Sequence, residues 1–367
     1  MTTDPFPAFD HRPQGMWRYR SLLPVGDGPI RYPLPVGGSP LTGPAVLRDR
    51  LGLPDLWVKD ETVGTSGSNK DRATALVIED GLRSGATTIT TASTGNAAVA
   101  TALGAAAAGI RAVIFVPAGC AEAKVAVMRS AGALVLRVVD GYRAAFELSR
   151  AAARHFGWLD RNTGVNPLTL HAKKTVAFEI WEQLGRTVPD VVVVPVGDGP
   201  TVLAMGQGFR ELESLGLTNR VPRLIGVQAS GCQPLAREWH GRPDSPVRHS
   251  GTIADGIDVP EPISGVEALA EVARSGGAFV AVPDAAMLAA IGMLASTAGV
   301  TCEPAGAAGL AGLLKARRMG LVAAEERVVV LVTGRELVVG PDVPLEGGEA
   351  LIAARLDEVE RYAGVLA

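Results

Sequence analysis

The residues with the most chemistry to offer sit in one short run, Gly64-Thr65-Ser66-Gly67-Ser68-Asn69-Lys70-Asp71-Arg72. A loop of small residues delivers a lysine, followed at once by an acid and a base. A primary amine set among backbone donors can attack a carbonyl and form an imine. The same stretch also reads as an ordinary strand-loop-helix connection with a solvated lysine.

Three further segments offer complementary services. The Asn96 amide can donate to a phenolate-type oxygen, or it can serve as a turn or helix-cap residue. Gly197-Asp198-Gly199-Pro200-Thr201 follows the apolar run Val191–Val194 and precedes a helical pattern. That setting aims backbone N–H groups at an anion, typically phosphate, or is a plain turn. Pro200 suits a first helical position, which needs no N–H partner. The Asp198 carboxylate would repel a phosphate, so its side chain is expected to point away. Thr333, after Val328–Val332, offers a neutral hydroxyl at a strand end.

These loops need elements to hold them. Leu56–Asp60 reads as a strand ending in the charged residues Lys59, Asp60 and Glu61, taken as a solvated strand end. The pattern then predicts a helix over 70–84, with Asp71 in its first turn, where a negative charge suits the dipole. Strands follow at 87–91, 112–116 and 134–139, with helices between them and at 142–156, and a short strand is expected near Trp158. Another helix over 171–185 leads to the Val191–Val194 strand. Beyond it Val202, Met205, Phe209 and Leu212 share one helical face. Later strands are expected at 223–228, 278–282 and 327–332, with helices at 284–298 and 304–317. Such alternation means parallel sheets covered by helices, with binding loops at the strands' C-terminal ends. Residues 1–45, rich in Pro and Gly and anchored by Trp17 and Tyr19, read as an irregular arm. Residues 241–265 read as loop.

The bulk numbers agree with an α/β protein of more than one domain. The chain has 367 residues, 47% of them apolar, and a net charge of −3. Near-neutrality gives no reason to expect a nucleic acid or membrane partner. Cys120, Cys232 and Cys302 show no paired spacing, and His11, His155, His171, His240 and His249 show no ligand spacing, so no metal is expected. With no leader pattern in Met1–Asp10, a soluble, cytoplasmic protein is expected.

Taken together the motifs resemble the fold-type II pyridoxal-phosphate enzymes, and within them the threonine synthases and threonine-synthase-like proteins. Ser68-Asn69-Lys70-Asp71-Arg72 is similar to that family's Ser-Phe-Lys-Asp-Arg segment. Thr94-Gly95-Asn96 corresponds to its Ser-Gly-Asn turn, and Pro195 to Thr201 to its Pro-Val-Gly-Asn-Ala-Gly-Asn loop. Gly37-Gly38-Ser39-Pro40-Leu41, Asn166-Pro167, Lys174 to Ile180, Glu303-Pro304-Ala305 and Leu331 to Gly334 follow in the family's order.

The resemblance implies two open parallel-sheet α/β domains of the tryptophan synthase β type, with the cofactor in the cleft between them. The larger would comprise 1–70 and 161–367, including the arm, and the smaller, mobile one 71–160. It implies that Lys70 holds pyridoxal 5'-phosphate and acts as acid and base. Asn96 would donate to the cofactor's ring oxygen. Gly197, Asp198, Gly199, Pro200 and Thr201 would cradle its phosphate, and Thr333 would bond the pyridine nitrogen. Ser93, Thr94 and Gly95, with Asn69, would line the place of an amino-acid substrate. A homodimer is implied as well.

The departures point to a divergent member. Threonine synthases carry Asn-Ser-Val-Asn-Pro-x-Arg, which resembles a site for the phosphate of O-phosphohomoserine. Here the run is Thr163-Gly164-Val165-Asn166-Pro167-Leu168-Thr169. The reading is therefore a lyase or synthase acting on an amino acid with a β- or γ-leaving group other than O-phosphohomoserine. Gly251 to Ile257 also resembles a segment of serine/threonine dehydratases, which makes an ammonia lyase the second reading. A genuine threonine synthase and a non-catalytic cofactor-binding sensor or scaffold are the others.

Overall fold

A computed structural model describes residues 15–242, 251–340 and 342–363; Met1–Asp10, His11 and His249 lie outside them. The strands are β1 (Leu41–Thr42), β2 (Leu56–Asp60), β3 (Thr88–Ala92), β4 (Arg111–Pro117), β5 (Leu134–Val138) and β6 (Leu159–Asp160). After them come β7 (Val191–Pro195), β8 (Arg223–Ala229), β9 (Ala278–Val282), β10 (Val328–Val332) and β11 (Glu349–Ile352). The helices begin with α1 (Ala45–Leu51), α2 (Lys70–Ser84), α3 (Asn96–Ala107), α4 (Glu122–Ser130), α5 (Gly141–Phe156) and α6 (Leu168–Gln183). They continue with α7 (Pro200–Ser214), α8 (Pro234–Trp239), α9 (Gly265–Arg274), α10 (Asp284–Ala298), α11 (Pro304–Arg318) and α12 (Leu356–Ala363).

The chain forms two compact units. The first comprises 1–23, 37–69 and 173–336, and the second 24–36, 70–172 and 337–367. Each is built on one sheet.

In the first unit the strand order is β1-β2-β10-β7-β8-β9. All neighbours run parallel except the short edge pair β1 and β2. β7 (four valines and a closing Pro195) and β10 (valines and a leucine) are buried throughout, as strands covered on both faces must be. One face packs Leu47 of α1, Met287 and Leu294 of α10 and the small residues of α11. The other packs Phe178 and Trp181 of α6 against Val202, Met205, Phe209 and Leu212 of α7, the four residues that helical spacing places on one face. A row of glycines lets α11 lie flat on the sheet. An added Cβ would stand 2.8 Å from the Leu331 carbonyl at Gly309 and 2.2 Å from Val227 at Gly312.

In the second unit the order is β11-β5-β4-β3-β6, all parallel. Phe115, Leu136 and Val138 pack with Leu148 and Ala152 of α5, Ile352 of β11 and Val359 of α12. On the other face α2 and α3 approach closely at Gly104, where a Cβ would meet Thr74 Cγ2 at 3.0 Å.

The predicted strands and long helices all form, with ends shifted by a few residues. The sequence reading omitted β1, α1, α8, α9, β11 and α12. α9 begins at Gly265, where residues 241–265, read as loop, end; 243–250 lie outside the described residues. β11 is a four-residue edge strand held by ions rather than by apolar alternation: Glu349 pairs with Arg129 at 2.8 Å and with Arg137. Among the described residues no helix is long and apolar enough to cross a membrane.

Candidate active site

Three loops leave the C-terminal ends of three adjacent strands of the first sheet: residues 64–69 after β2, 333–334 after β10 and 197–199 after β7. Adjacency in the sheet, not in sequence, groups them.

The lysine loop is fastened to the end of β10 by main-chain bonds. The Asn69 N–H donates to the Thr333 carbonyl at 2.9 Å, and the Arg335 N–H donates to the Gly67 carbonyl at 2.8 Å. Ser68 and Gly334 form an antiparallel bridge. Gly67 has φ +68°, and a Cβ there would stand 3.0 Å from Arg335 Cγ, so glycine is required by both backbone and space. Lys70 opens α2 one residue beyond this clamp and is half-buried. The buried Thr333 has no protein partner for its hydroxyl among the described residues.

Beneath the loop lies a polar core that sequence reading missed. Lys59, Asp60 and Glu61 are not a solvated strand end; all three are buried. Lys59 Nζ donates to Glu179 Oε2 at 2.7 Å, to the Ser39 carbonyl at 2.6 Å and to Gln183 Oε1 at 2.9 Å. The Ser39 hydroxyl joins Glu61 to this group, and the Gly38 N–H donates to Glu179 Oε1 at 2.7 Å. A buried cation persists because its charge and donors are matched. The only sequence signal was the i,i+4 spacing of Glu179 and Gln183 on α6, which has no meaning until β2 is placed beside it.

The loop after β7 is shaped by contact with residues 256–264. A Cβ at Gly197 would stand 3.1 Å from the Gly256 carbonyl oxygen, and one at Gly199 2.7 Å from that of Ser264. Gly199, at φ +98°, ends this turn without a side-chain cap, and Pro200 takes the first position of α7. Asp198 is turned onto the neighbouring segment: its Oδ1 faces the Ile263 N–H at 3.4 Å, and its carbonyl accepts from the Ser264 N–H at 3.0 Å. The first N–H groups of a helix such as α7 are of the kind that suits an anion. Cys302, next to the first turn of α11, has its thiol pushed up to about 12 by burial, with Glu303 and Asp60 adding to the shift; it stays protonated.

In the second unit the corresponding loops leave the adjacent strands β3 and β6. Asn96 is the first residue of α3 and not its cap. Gly95 takes the cap position and makes no side-chain hydrogen bond. The Ser93 hydroxyl accepts from the Gly95 N–H at 3.2 Å, which fixes the 93–96 turn. Since α2 packs on α3, Lys70 and Asn96 start two neighbouring helices.

The segment after β6 turns its polar side chains inward. Thr163 Oγ1 accepts from Arg161 Nη1 at 2.7 Å, and the Thr169 hydroxyl donates to the Asn166 carbonyl at 2.7 Å. The Asn166 amide donates to the Asp160 carbonyl at 2.8 Å and accepts from the Leu168 N–H at 3.0 Å. Asn162 Oδ1 accepts from the Ala92 N–H at 2.8 Å, tying this segment to the strand that leads into the 93–96 turn. Neither Arg161 nor Asn162 was singled out by sequence reading.

Taken unit by unit, the unengaged buried hydroxyl and glycine-rich helix N-terminus of the first, and the amine and amide at helix starts of the second, are each of a type that suits one part of a phosphorylated pyridine aldehyde. The comparisons with known proteins agree. A family profile described as "Pyridoxal-phosphate dependent enzyme" matches residues 32–334. The chain is 36% identical over 360 residues to a threonine synthase of Mycobacterium bovis, covering 98% of each. It is 37% identical over 325 residues to a threonine synthase of Methanosarcina acetivorans, covering 88% of this chain and 80% of that one. The fold matches threonine deaminase isoform 2 of Solanum lycopersicum with a TM-score of 0.68, at 22% identity over 82% of this chain and 84% of the other. It also matches an L-serine ammonia-lyase of Rhizomucor miehei with a TM-score of 0.70, at 22% identity over 82% and 94%. This chain thus belongs to the fold-type II pyridoxal-phosphate-dependent enzymes, in the branch of the threonine synthases, and is an enzyme of the lyase class that uses pyridoxal 5'-phosphate.

Proposed function

We propose that the chain catalyses elimination or replacement on an amino acid with a β- or γ-leaving group, and that this substrate is not O-phosphohomoserine. The observation that carries the second half is the 160–169 segment. Thr163 and Thr169, which stand where the family has Asn and Arg, spend their hydroxyls on protein partners. A phosphate ester bound there would lack a charge-assisted contact worth about 1.5–3 kcal/mol.

Bound pyridoxal phosphate withdraws electrons from the substrate's α-carbon. Lys70 would hold the cofactor, and its amine would move the proton at that carbon and at the neighbouring position. The α7 N-terminus with Gly197, Gly199 and Thr201 binds the phosphate, while Asp198 and Pro200 shape the turn. Asn96 donates to the ring oxygen. Thr333 would meet the ring nitrogen with a neutral hydroxyl, which would leave that nitrogen largely unprotonated and favour elimination and replacement over amino-group transfer. The α3 N-terminus, with Ser93, Thr94 and Gly95, binds the substrate carboxylate, and Asn69 lines the pocket beside the lysine.

An ammonia-lyase reading is favoured by a different observation. The Gly251 to Ile257 segment packs on Gly197, and its Thr252 hydroxyl is anchored to Asp284 at 2.5 Å. One assay separates the readings. Purified protein loaded with cofactor is offered O-phosphohomoserine, serine, threonine and other β- and γ-substituted amino acids, with phosphate, ammonia, 2-oxo acid and threonine measured. Robust phosphate and threonine release makes the protein a genuine threonine synthase and sinks our reading. Ammonia and 2-oxo acid from serine or threonine select the lyase. A protein that binds cofactor but turns over nothing is a sensor or scaffold. A homodimer in the cytoplasm completes the proposal. Its support is the family, and light scattering of the purified protein checks the dimer.

A further inference from the structure

Arg161 is the feature of the second unit that neither fold nor family explains. Its main-chain N–H extends the β3–β6 ladder by donating to the Thr90 carbonyl at 2.9 Å, and its side chain is fully buried. Among the described residues the guanidinium hydrogen-bonds only neutral groups: Nε donates to Thr74 Oγ1 at 3.1 Å and Nη1 to Thr163 Oγ1 at 2.7 Å. Among the described residues Nη2 has no hydrogen-bond partner and no carboxylate pairs with the side chain. Burial pushes the guanidinium down to about 10, opposed by the fields of Asp71 and Asp160. A buried, unpaired cation does not serve stability, since an apolar residue of similar volume is commonly tolerated as well or better.

Its position suggests what it serves. Thr74 lies four residues beyond Lys70 on α2, so the two share one face of the helix. Arg161 therefore grips the first turns of the lysine-bearing helix from the end of β6, and its neighbour Asn162 grips the end of β3 that leads to Asn96. We propose that Arg161 is a positioning residue of the lysine site, holding α2 through Thr74 so that the Lys70 amine keeps its place beside the 93–96 turn. This rests on the reading of Lys70 as the cofactor-bearing residue.

The test uses the full-length, cofactor-loaded protein and the variants Arg161→Met, Arg161→Lys, Thr74→Val and Arg161→Met with Thr74→Val. Three quantities are read: the thermal midpoint, the fraction of Lys70 fixed to cofactor by borohydride (by peptide mass), and kcat and KM on the best substrate. Arg161→Met is expected to keep the midpoint within a few degrees, while kcat falls about tenfold or more and KM stays within about threefold. Fixation at Lys70 falls with kcat. Thr74→Val, which removes only the hydroxyl, is expected to lower kcat about threefold alone and to add nothing on top of Arg161→Met. Arg161→Lys, which keeps the charge but cannot reach both hydroxyls, recovers less than half of the loss. Wild-type kcat and fixation in Arg161→Met overturn the proposal, as does an additive effect of Thr74→Val. So does a kcat loss that merely tracks loss of folded protein. If Arg161→Met does not fold, Thr74→Val decides by itself: a fall in kcat and in fixation at an unchanged midpoint and KM supports the proposal, and wild-type kcat and fixation overturn it. If wild-type protein shows no fixed adduct at Lys70, the cofactor assignment has failed instead.

Discussion

Lys70 and Lys59 are eleven residues apart in sequence and make opposite uses of an ammonium group. Lys70 is half-exposed at a helix start, where its amine can be freed and used. Lys59 is fully buried and saturated by Glu179, Ser39 and Gln183. Substitution should separate them. Lys70→Ala is expected to leave the thermal midpoint nearly unchanged, abolish the borohydride-fixed adduct and lower kcat about a thousandfold. Lys59→Met is expected to destabilise by about 3–5 kcal/mol, because it strands the Glu179 carboxylate in the interior; urea unfolding measures it. The first lysine was legible from its small-residue loop and its neighbours. The second was not, since burial at a strand end depends on Ser39 and α6 arriving from elsewhere in the chain.

Among the elements, α11 shows how a helix with little side-chain bulk can position a site. Its glycines bring it onto β10, and at Gly306 the clearance from the Gly334 carbonyl oxygen leaves a Cβ only 2.4 Å away. Gly306→Ala is expected to cost about 1–3 kcal/mol by overpacking. It should also weaken cofactor binding, because Gly334 is part of the clamp that fixes the lysine loop; calorimetric unfolding and cofactor titration check the two effects. The long elements were readable because their period is strong. β7, β9 and β10 of the first sheet are continuous apolar runs, and α7 carries its buried residues at three- and four-residue spacing. α1, α8, α12 and β11 escaped because each is short. β11 is also fixed by Glu349, Arg129 and Arg137, a cross-chain pairing that no local pattern announces.

At the scale of the molecule, charge fastens the strand starts of the first unit as well. Burial raises the Asp190 carboxyl, but the hydrogen bond from Arg220, the Arg327 main-chain N–H and their charges outweigh it and hold the group below its usual value. Arg220 Nη1 lies 2.5 Å from Oδ1, and the Arg327 N–H donates to Oδ2 at 2.8 Å. A depressed folded-state value means the contribution is present above the unfolded value and lost as pH falls through the folded one. Asp190→Asn should thus lower the thermal midpoint at neutral pH by an amount worth less than about 1 kcal/mol, with the difference fading below about pH 4. Denaturation scans over a pH series check this. The order of the motifs along the chain was enough to indicate the fold and the cofactor. The inward bonding of the 160–169 segment and the buried Arg161 were not indicated, because both depend on which strand lies beside β6.

The order of strands in the first sheet also has a consequence for synthesis. β2 is made early, but its parallel neighbour β10 is among the last strands to be made, after the whole of the second unit's β3-to-β6 block and most of the first sheet. Until Val328–Val332 emerges, the nascent chain carries an apolar strand edge with only the two-residue β1 beside it, the kind of edge that recruits other chains. The lysine loop is likewise unfastened until Thr333 and Gly334 arrive. Chains terminated shortly before Val328 should accumulate as insoluble, chaperone-bound material, whereas chains ending just after β11 and α12 should not. The lysine loop is therefore completed only once Thr333 and Gly334 have emerged, however early Lys70 itself is laid down.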